Sequence, residues 1–200
     1  MNVTVTGISV LKNDIDSYDL SLPEDEWNRI QTIVSEFTFA KKSVIFSQAI
    51  VCDRIFFIAD GIAASEQTLA EGTSPIARFF CRGQFCSNIT SALMKDYAND
   101  TLIAIADVRV VSFPIYFFLQ EYYDGKILGE YFRRKVLETL LFDKEIICAK
   151  TVLNTEYRYR FLEERQPEVI QLVPDKDIAR FMGITPQGLC RFLKNRSQKN

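Results

Sequence analysis

The feature that most constrains this chain is a change of texture at Pro114. Upstream, the sequence is cut into short apolar runs rich in Val, Ile and Phe, at 43–46, 54–59, 62–65, 76–81, 102–106 and 108–113. Turn pairs separate them: Asp60-Gly61, Glu71-Gly72, Arg82-Gly83 and Asn99-Asp100. Short strands at this spacing argue for a small antiparallel barrel or sandwich. Downstream, 115–123 and 126–152 contain few breakers and read as helices. An earlier helix starts at 21–27, where Ser21 is a polar cap, Pro23 sits in the first turn and a run of acids favours the positive end of the helix dipole. Trp27, Ile30, Val34 and Phe37 follow at helical spacing.

The helix at 126–152 carries an apolar stripe too wide for one solvent-facing element, running from Ile127, Leu128, Tyr131 and Phe132 through Val136, Leu137, Leu140 and Leu141 to Ile146 and Ile147. About 25 helical residues span ~38 Å, more than one small barrel covers. Part of the stripe is therefore expected to meet a second copy of the chain, with Leu128, Phe132, Val136, Leu140 and Ile147 as the dimer residues.

Composition closes several function classes. The chain has 200 residues, 48% hydrophobic and 25% charged, which fits a globular protein and excludes a disordered or fibrous one. It has no histidine, which removes Ser-His-Asp and Cys-His catalysis, His-ligated haem and His-containing zinc sites. No Walker or Rossmann glycine pattern occurs and nothing pairs a nucleophile with a base, so no enzyme is expected. Cys52, Cys81, Cys86, Cys148 and Cys190 form no C-x-x-C pair and read as free, mostly buried thiols in a reducing compartment. No run reaches the ~18 apolar residues of a membrane span and the N-terminus lacks signal-peptide features, so a cytoplasmic protein with no membrane partner is expected. The net charge of −2 is uneven: residues 1–149 hold six more acids than bases, and residues 150–200 four more bases than acids. From Thr185 onward there are four bases and no acid, which suits a polyanion partner at this end.

That basic end contains a helix-turn-helix pattern. With Asp175 as the first position, Ala179 is the fifth, where a small side chain lets the second helix cross closely, and Gly183 the ninth, where the turn needs a positive φ. Ile178, Met182, Ile184, Leu189 and Phe192 fill the apolar positions. Thr185 caps the second helix and Pro186 occupies its first turn. The outward side presents Gln187, Gly188, Arg191, Lys194 and Asn195, suited to base edges and phosphates, with Arg196 near the helix end expected on a phosphate. Asn154 is expected to cap a preceding helix at 155–165 that stops before Pro167.

Short strands, a long apolar helix, a small helix ending in Phe161-Leu-Glu-Glu-Arg-Gln-Pro167 and a terminal helix-turn-helix together resemble the Crp/Fnr family of bacterial transcription regulators. The resemblance runs from about Trp27 to Asn195 and is most specific over 157–193. It implies an α+β fold. An antiparallel β-barrel of the cyclic-nucleotide-binding, double-stranded β-helix or jelly-roll kind covers 1–125, a dimerisation helix 126–152 and a DNA-binding helix-turn-helix domain 153–200. It also implies double-stranded DNA and a second copy as partners, with RNA polymerase as a further one.

Departures from the family qualify what the resemblance implies. Its cyclic-nucleotide-binding members place a glutamate and an arginine on the ribose and phosphate. Here Asn88 stands where the glutamate is expected and Asn99 or Asp100 where the arginine is, in the stretch holding Gly83, Phe85 and Thr101. An acid near the phosphate would repel it. The pocket is thus expected to be degenerate or retuned, with no cyclic AMP, no resident cofactor, and side chains such as Phe79, Phe80 and Phe85 available to fill it. Iron-sulfur sensing lacks its N-terminal cysteines, and redox sensing by Cys81 or Cys86 is weighed against a structural role. The wing that follows the recognition helix in the family is expected to be missing or cut to a stub, its backbone contacts absent or replaced by Arg196 and Lys199. A non-enzymatic effector-binding or protein-interaction module with a vestigial helix-turn-helix is the competing possibility.

Overall fold

The computed structural model describes residues 6–152 and 154–198. Two helices, α1 (Gly7–Asp16) and α2 (Glu24–Ile33), precede eight strands: β1 (Ser35–Phe39), β2 (Val44–Phe46), β3 (Arg54–Asp60), β4 (Ala63–Glu66), β5 (Ile76–Phe80), β6 (Phe85–Cys86), β7 (Thr101–Ala104) and β8 (Val108–Pro114). A short helix, α3 (Ile89–Met94), lies between β6 and β7. The rest is helical: α4 (Ile115–Asp124), α5 (Ile127–Thr151), α6 (Thr155–Arg165), α7 (Pro167–Leu172), α8 (Asp175–Met182) and α9 (Pro186–Ser197).

The strands form two antiparallel four-stranded sheets, ordered β1-β8-β3-β6 and β2-β7-β4-β5. They stack as the expected jelly-roll sandwich, without closing into a barrel. Alternation explains why the apolar runs are nearly unbroken. In β3, Phe56 and Ile58 enter the cluster between the sheets, while Ile55 and Phe57 enter a second cluster on the outer face. In β8, Val108 and Val110 face inward, and Val111 and Phe113 outward. Both faces are buried because α1, α2, α4 and the start of α5 cover the first sheet through Leu11, Trp27, Ile30, Phe117, Tyr131 and Phe132. The outer face of the second sheet, with Ala64, Ile76 and Phe79, is covered by the C-terminal helices through Leu162, Ile178, Phe181 and Met182.

Several element bounds differ from expectation. Ser21 does not cap α2; Pro23 holds the N-cap position, and the acids Glu24, Asp25 and Glu26 supply the first turn. The helix stops at Ile33 because Val34 is extended and the next residues pair with β8, so Phe37 lies on a strand. Helix α7 begins at the Pro167 that ends α6, the ring occupying a first-turn position where its missing N–H costs nothing. Asn154 caps α6 as expected, its side chain accepting from the Tyr157 N–H at 3.3 Å.

Candidate functional site

The residues expected to form a helix-turn-helix fall on α8 and α9, which are joined through Gly183, Ile184 and Thr185. Asp175 and Asp177 favour the start of α8, and Gly183 ends it at φ 67°, a left-handed conformation that a side chain would strain. The Ile184 N–H then bonds to the Ala179 carbonyl at 3.0 Å. Thr185 Oγ1 accepts from the Gly188 N–H at 3.0 Å, and Pro186 takes the first helical position. Gly188 suits this cap, since a Cβ there would come within 3.2 Å of Thr185 Oγ1. Ile178, Ala179, Met182 and Leu189 are buried, with Ile184, Phe192 and Leu193 packed against them. Gln187, Arg191, Lys194 and Asn195 are left exposed on α9.

Arg196 corrects the expectation of a phosphate contact. Its guanidinium makes two 2.6 Å hydrogen bonds to Glu163, a third contact of 3.1 Å to Glu156, and lies 5.0 Å from the Tyr159 ring. Glu163 hydrogen bonding raises its pKa further, so the charge is held on α6. Lys199 lies outside the described residues.

A second candidate site is a cavity of about 560 Å³ between the β-sandwich and α5. Phe85, Asn88, Asn99 and Asp100 line it. Gly83 and Thr101 do not: the Gly83 carbonyl accepts from Lys135 Nζ, and Thr101 Oγ1 from the Gln48 N–H. Phe80 also lines the cavity, whereas Phe79 points to the other face of β5 and packs on Phe181 with ring centroids 5.4 Å apart. Asn88 is consumed locally. Its Oδ1 accepts from the Ser91 N–H at 2.8 Å, capping α3, and its Nδ2 donates to Asn99 and Asp100 at 2.6 Å each. Burial raises the Asp100 pKa against the lowering effect of that amide.

Arg78, Lys135 and Asp143 also line the cavity and were missed in the sequence. Their signal was available: each is a charge placed inside an apolar run or stripe. Arg78 Nη1 lies 2.5 Å from Asp143, and Lys135 Nζ 2.8 Å from Asp14. Cys81 and Cys86 are buried, and desolvation pushes both thiols well above their usual range. That favours the structural role, since a reactive thiol needs a stabilised thiolate.

The dimer residues divide. Leu128 and Phe132 are fully buried in the chain's own core, which corrects their assignment to a partner-facing surface. Val136, Leu140 and Ile147 are exposed at 40%, 65% and 63%, and Leu137 and Leu141 are exposed beside them.

The last turn of α5, the α6–α7 junction and α8 also dock on the edge of the second sheet. Arg180 bonds to Glu66 and to the Ser74 carbonyl, Lys150 Nζ donates to the carbonyls of Ile76 and Ala77 at 2.7 and 2.9 Å, and Gln166 Nε2 donates to the Phe79 carbonyl at 3.2 Å. Among the described residues no helix is long and apolar enough to cross a membrane.

Comparison with known proteins places these features. Residues 36–122 match the cyclic nucleotide-binding domain. The fold is similar to FixK2 from Bradyrhizobium japonicum, with a TM-score of 0.69 at 15% identity over 84% of this chain and 86% of that one. It is similar to a cyclic nucleotide-binding domain containing protein from Listeria monocytogenes, with a TM-score of 0.68 at 14% identity over 95% and 91%. TTHA1359, a CRP/FNR-family transcriptional regulator from Thermus thermophilus, superposes with a TM-score of 0.60 at 15% identity over 83% and 87%. No curated protein sequence matches the chain.

Proposed function

From a cyclic nucleotide-binding domain set in the fold of the CRP/FNR regulators, we propose that this protein is a dimeric, sequence-specific DNA-binding transcription regulator with a degenerate cyclic-nucleotide site. The observation that carries the proposal is the outward face of α9: Gln187, Arg191, Lys194 and Asn195 are exposed while Ile178, Ala179, Met182, Ile184, Leu189, Phe192 and Leu193 are engaged in packing. Two copies joined through the exposed part of α5 present two such faces. Each α9 enters a major groove, and the operator is an inverted repeat with half-sites about one turn apart, ~34 Å. Gln187 and Arg191 lie four apart on one side of the helix and read neighbouring base edges, while Lys194 meets phosphate. The partners are double-stranded DNA and a second copy, acting on RNA polymerase in the cytoplasm, and no catalytic step is involved. In the cavity, Asn88 stands where the ribose-binding carboxylate is expected, and Asn99 or Asp100 where the phosphate-binding guanidinium is.

Selection of an operator from random duplex DNA, followed by binding titrations, tests this. Arg191→Ala should cost ~1–3 kcal/mol on the best site and relax preference at one base pair. Lys194→Ala should weaken all sequences alike and flatten the salt slope by about one. If only salt-sensitive background binding is found, the helix-turn-helix is vestigial and the chain is an effector-binding or interaction module. An unchanged preference in Arg191→Ala defeats the recognition-helix assignment.

A further inference from the structure

We propose that Arg78 of the β-sandwich is a positioning residue for the dimer: by neutralising Asp143 on its own α5, it lets two copies of that helix face each other. This rests on the dimer reading given above and adds a determinant that lies outside α5. Asp143 is an acid on the exposed apolar side of the helix. It follows Leu140 by three residues, precedes Ile147 by four and stands seven after Val136, so these residues share one side. Its own side chain is 47% exposed. In a two-fold dimer, a residue on the contact side of a helix faces its own copy. Two Asp143 carboxylates are thereby brought together, and like charges across an interface oppose association.

Each carboxylate is answered within its own chain. Arg78 Nη1 lies 2.5 Å from Asp143 Oδ1. The arginine side chain is only 8% exposed, with the Phe80 ring 4.6 Å and the Phe142 ring 5.1 Å from its guanidinium. Phe80 belongs to β5 and Phe142 to α5, so strand and helix together hold the cation in place. Lys135 and Lys150, the other cations of α5 that reach the sandwich, are engaged by Asp14 and by the Ile76 and Ala77 carbonyls.

The two partners depend on each other unequally. A buried cation needs a compensating charge, and Asp143 supplies it for Arg78. Asp143 has no such need, because water reaches half of it in the single chain. Its need arises at the seam, where a second chain displaces that water. Arg78, Asp143, Val136 and Ile147 line the same cavity, so through this one ion pair β5 reaches the helix side on which the chains meet.

Sedimentation equilibrium on the full chain, without DNA, measures the dimer dissociation constant of wild type, of Arg78→Met, and of Arg78→Met combined with Asp143→Asn. Methionine fills the space beside the two rings without a charge, and a half-exposed carboxylate tolerates losing its partner, so the single variant should fold. Should it fail to fold, Arg78→Gln is read in its place. Arg78→Met should raise the dissociation constant at least about tenfold, and adding Asp143→Asn should bring it back to within about threefold of wild type. Raising the salt from about 0.05 to about 0.5 M should tighten the Arg78→Met dimer more than the wild-type dimer, since screening weakens like-charge repulsion. A pair that only stabilised the chain would lower the thermal midpoint and leave self-association, its rescue and its salt response unmoved. The proposal is overturned if a folded Arg78 variant dimerises as tightly as wild type, if Asp143→Asn does not restore the dimer, or if salt tightens both dimers alike. A wild-type chain that is monomeric at micromolar concentration defeats the dimer reading and this inference with it. A dimeric wild type with an indifferent Arg78→Met defeats this inference alone.

Discussion

At the scale of one residue, Lys150 puts a half-buried charge to structural use. It sits in the last turn of α5, where a cation complements the helix dipole, and its ammonium caps two carbonyls of β5, the edge strand of its sheet. It also lies 4.4 Å from the Phe181 ring of α8. Burial, with repulsion from Arg158 second, lowers its pKa to about 8 from an ordinary 10.5. Between those values the unfolded chain binds the extra proton, so this residue's contribution to stability rises with pH through that window. At neutral pH both states are protonated and the desolvation cost is fully present. The difference in unfolding free energy between wild type and Lys150→Met should therefore grow in favour of wild type from about pH 8 to about pH 10.5, by on the order of 2 kcal/mol. Urea titrations of both proteins across that range check it, since other titrating groups are common to the pair. A flat difference would mean that the amine titrates at its ordinary value in the folded chain.

Between elements, Arg196 fastens α9 to α6 through Glu163 and Glu156. Arg196→Ala should lower unfolding free energy by about 1 kcal/mol and leave the slope of log K against log salt for DNA unchanged, the opposite pattern to Lys194→Ala. A reduced slope in Arg196→Ala would return this residue to the phosphate surface. The pairing was invisible in the sequence because its partners lie 33 and 40 positions away, and a basic residue near a helix end looks the same whether it faces an acid or solvent. The pair α8 and α9 and the turn between them were legible, since Ala179, Gly183, Thr185 and Pro186 each meet a local steric or hydrogen-bonding demand. So were the long strands, because buried apolar runs bounded by turns have few other uses. Phe37 was misread because it continued the spacing of Trp27 and Ile30, and only pairing with β8 decides where that helix ends. With two residues, β6 is too short for any pattern, and α1 went unread although Val10, Leu11 and Ile15 form its buried side. At the cavity, Asn88, Asn99 and Asp100 were legible from their order along the chain. Arg78 and Asp143 stand out in the sequence as charges inside apolar surroundings, but their pairing was not legible, because they lie 65 residues apart.

For the whole molecule, the proposed dimer rests on α5, which changes its surroundings along its length. Its first half ends in the chain's own core, where Leu128, Tyr131 and Phe132 are fully buried. Its second half returns Ile146 and Ala149 to the chain but leaves Leu137, Leu140, Leu141 and Ile147 more than half exposed. Leu140 and Ile147 are seven residues apart and so recur on one side of the helix, as in a coiled-coil seam. Exposed Lys144 interrupts the stripe between them, so the apolar contact is short. Leu140→Asp combined with Ile147→Asp should therefore convert a dimer of 23.0 kDa chains to monomers while leaving the thermal midpoint of each chain nearly unchanged. Leu128→Asp, by contrast, should unfold the chain, because it buries a charge in the core. Separating the two α9 faces also removes simultaneous engagement of both half-sites, so operator affinity should fall by about 10²–10⁴-fold while binding to an isolated half-site stays the same. Light scattering and DNA titration on the same preparations check both expectations, and a wild-type chain that is monomeric at micromolar concentration would sink the dimer.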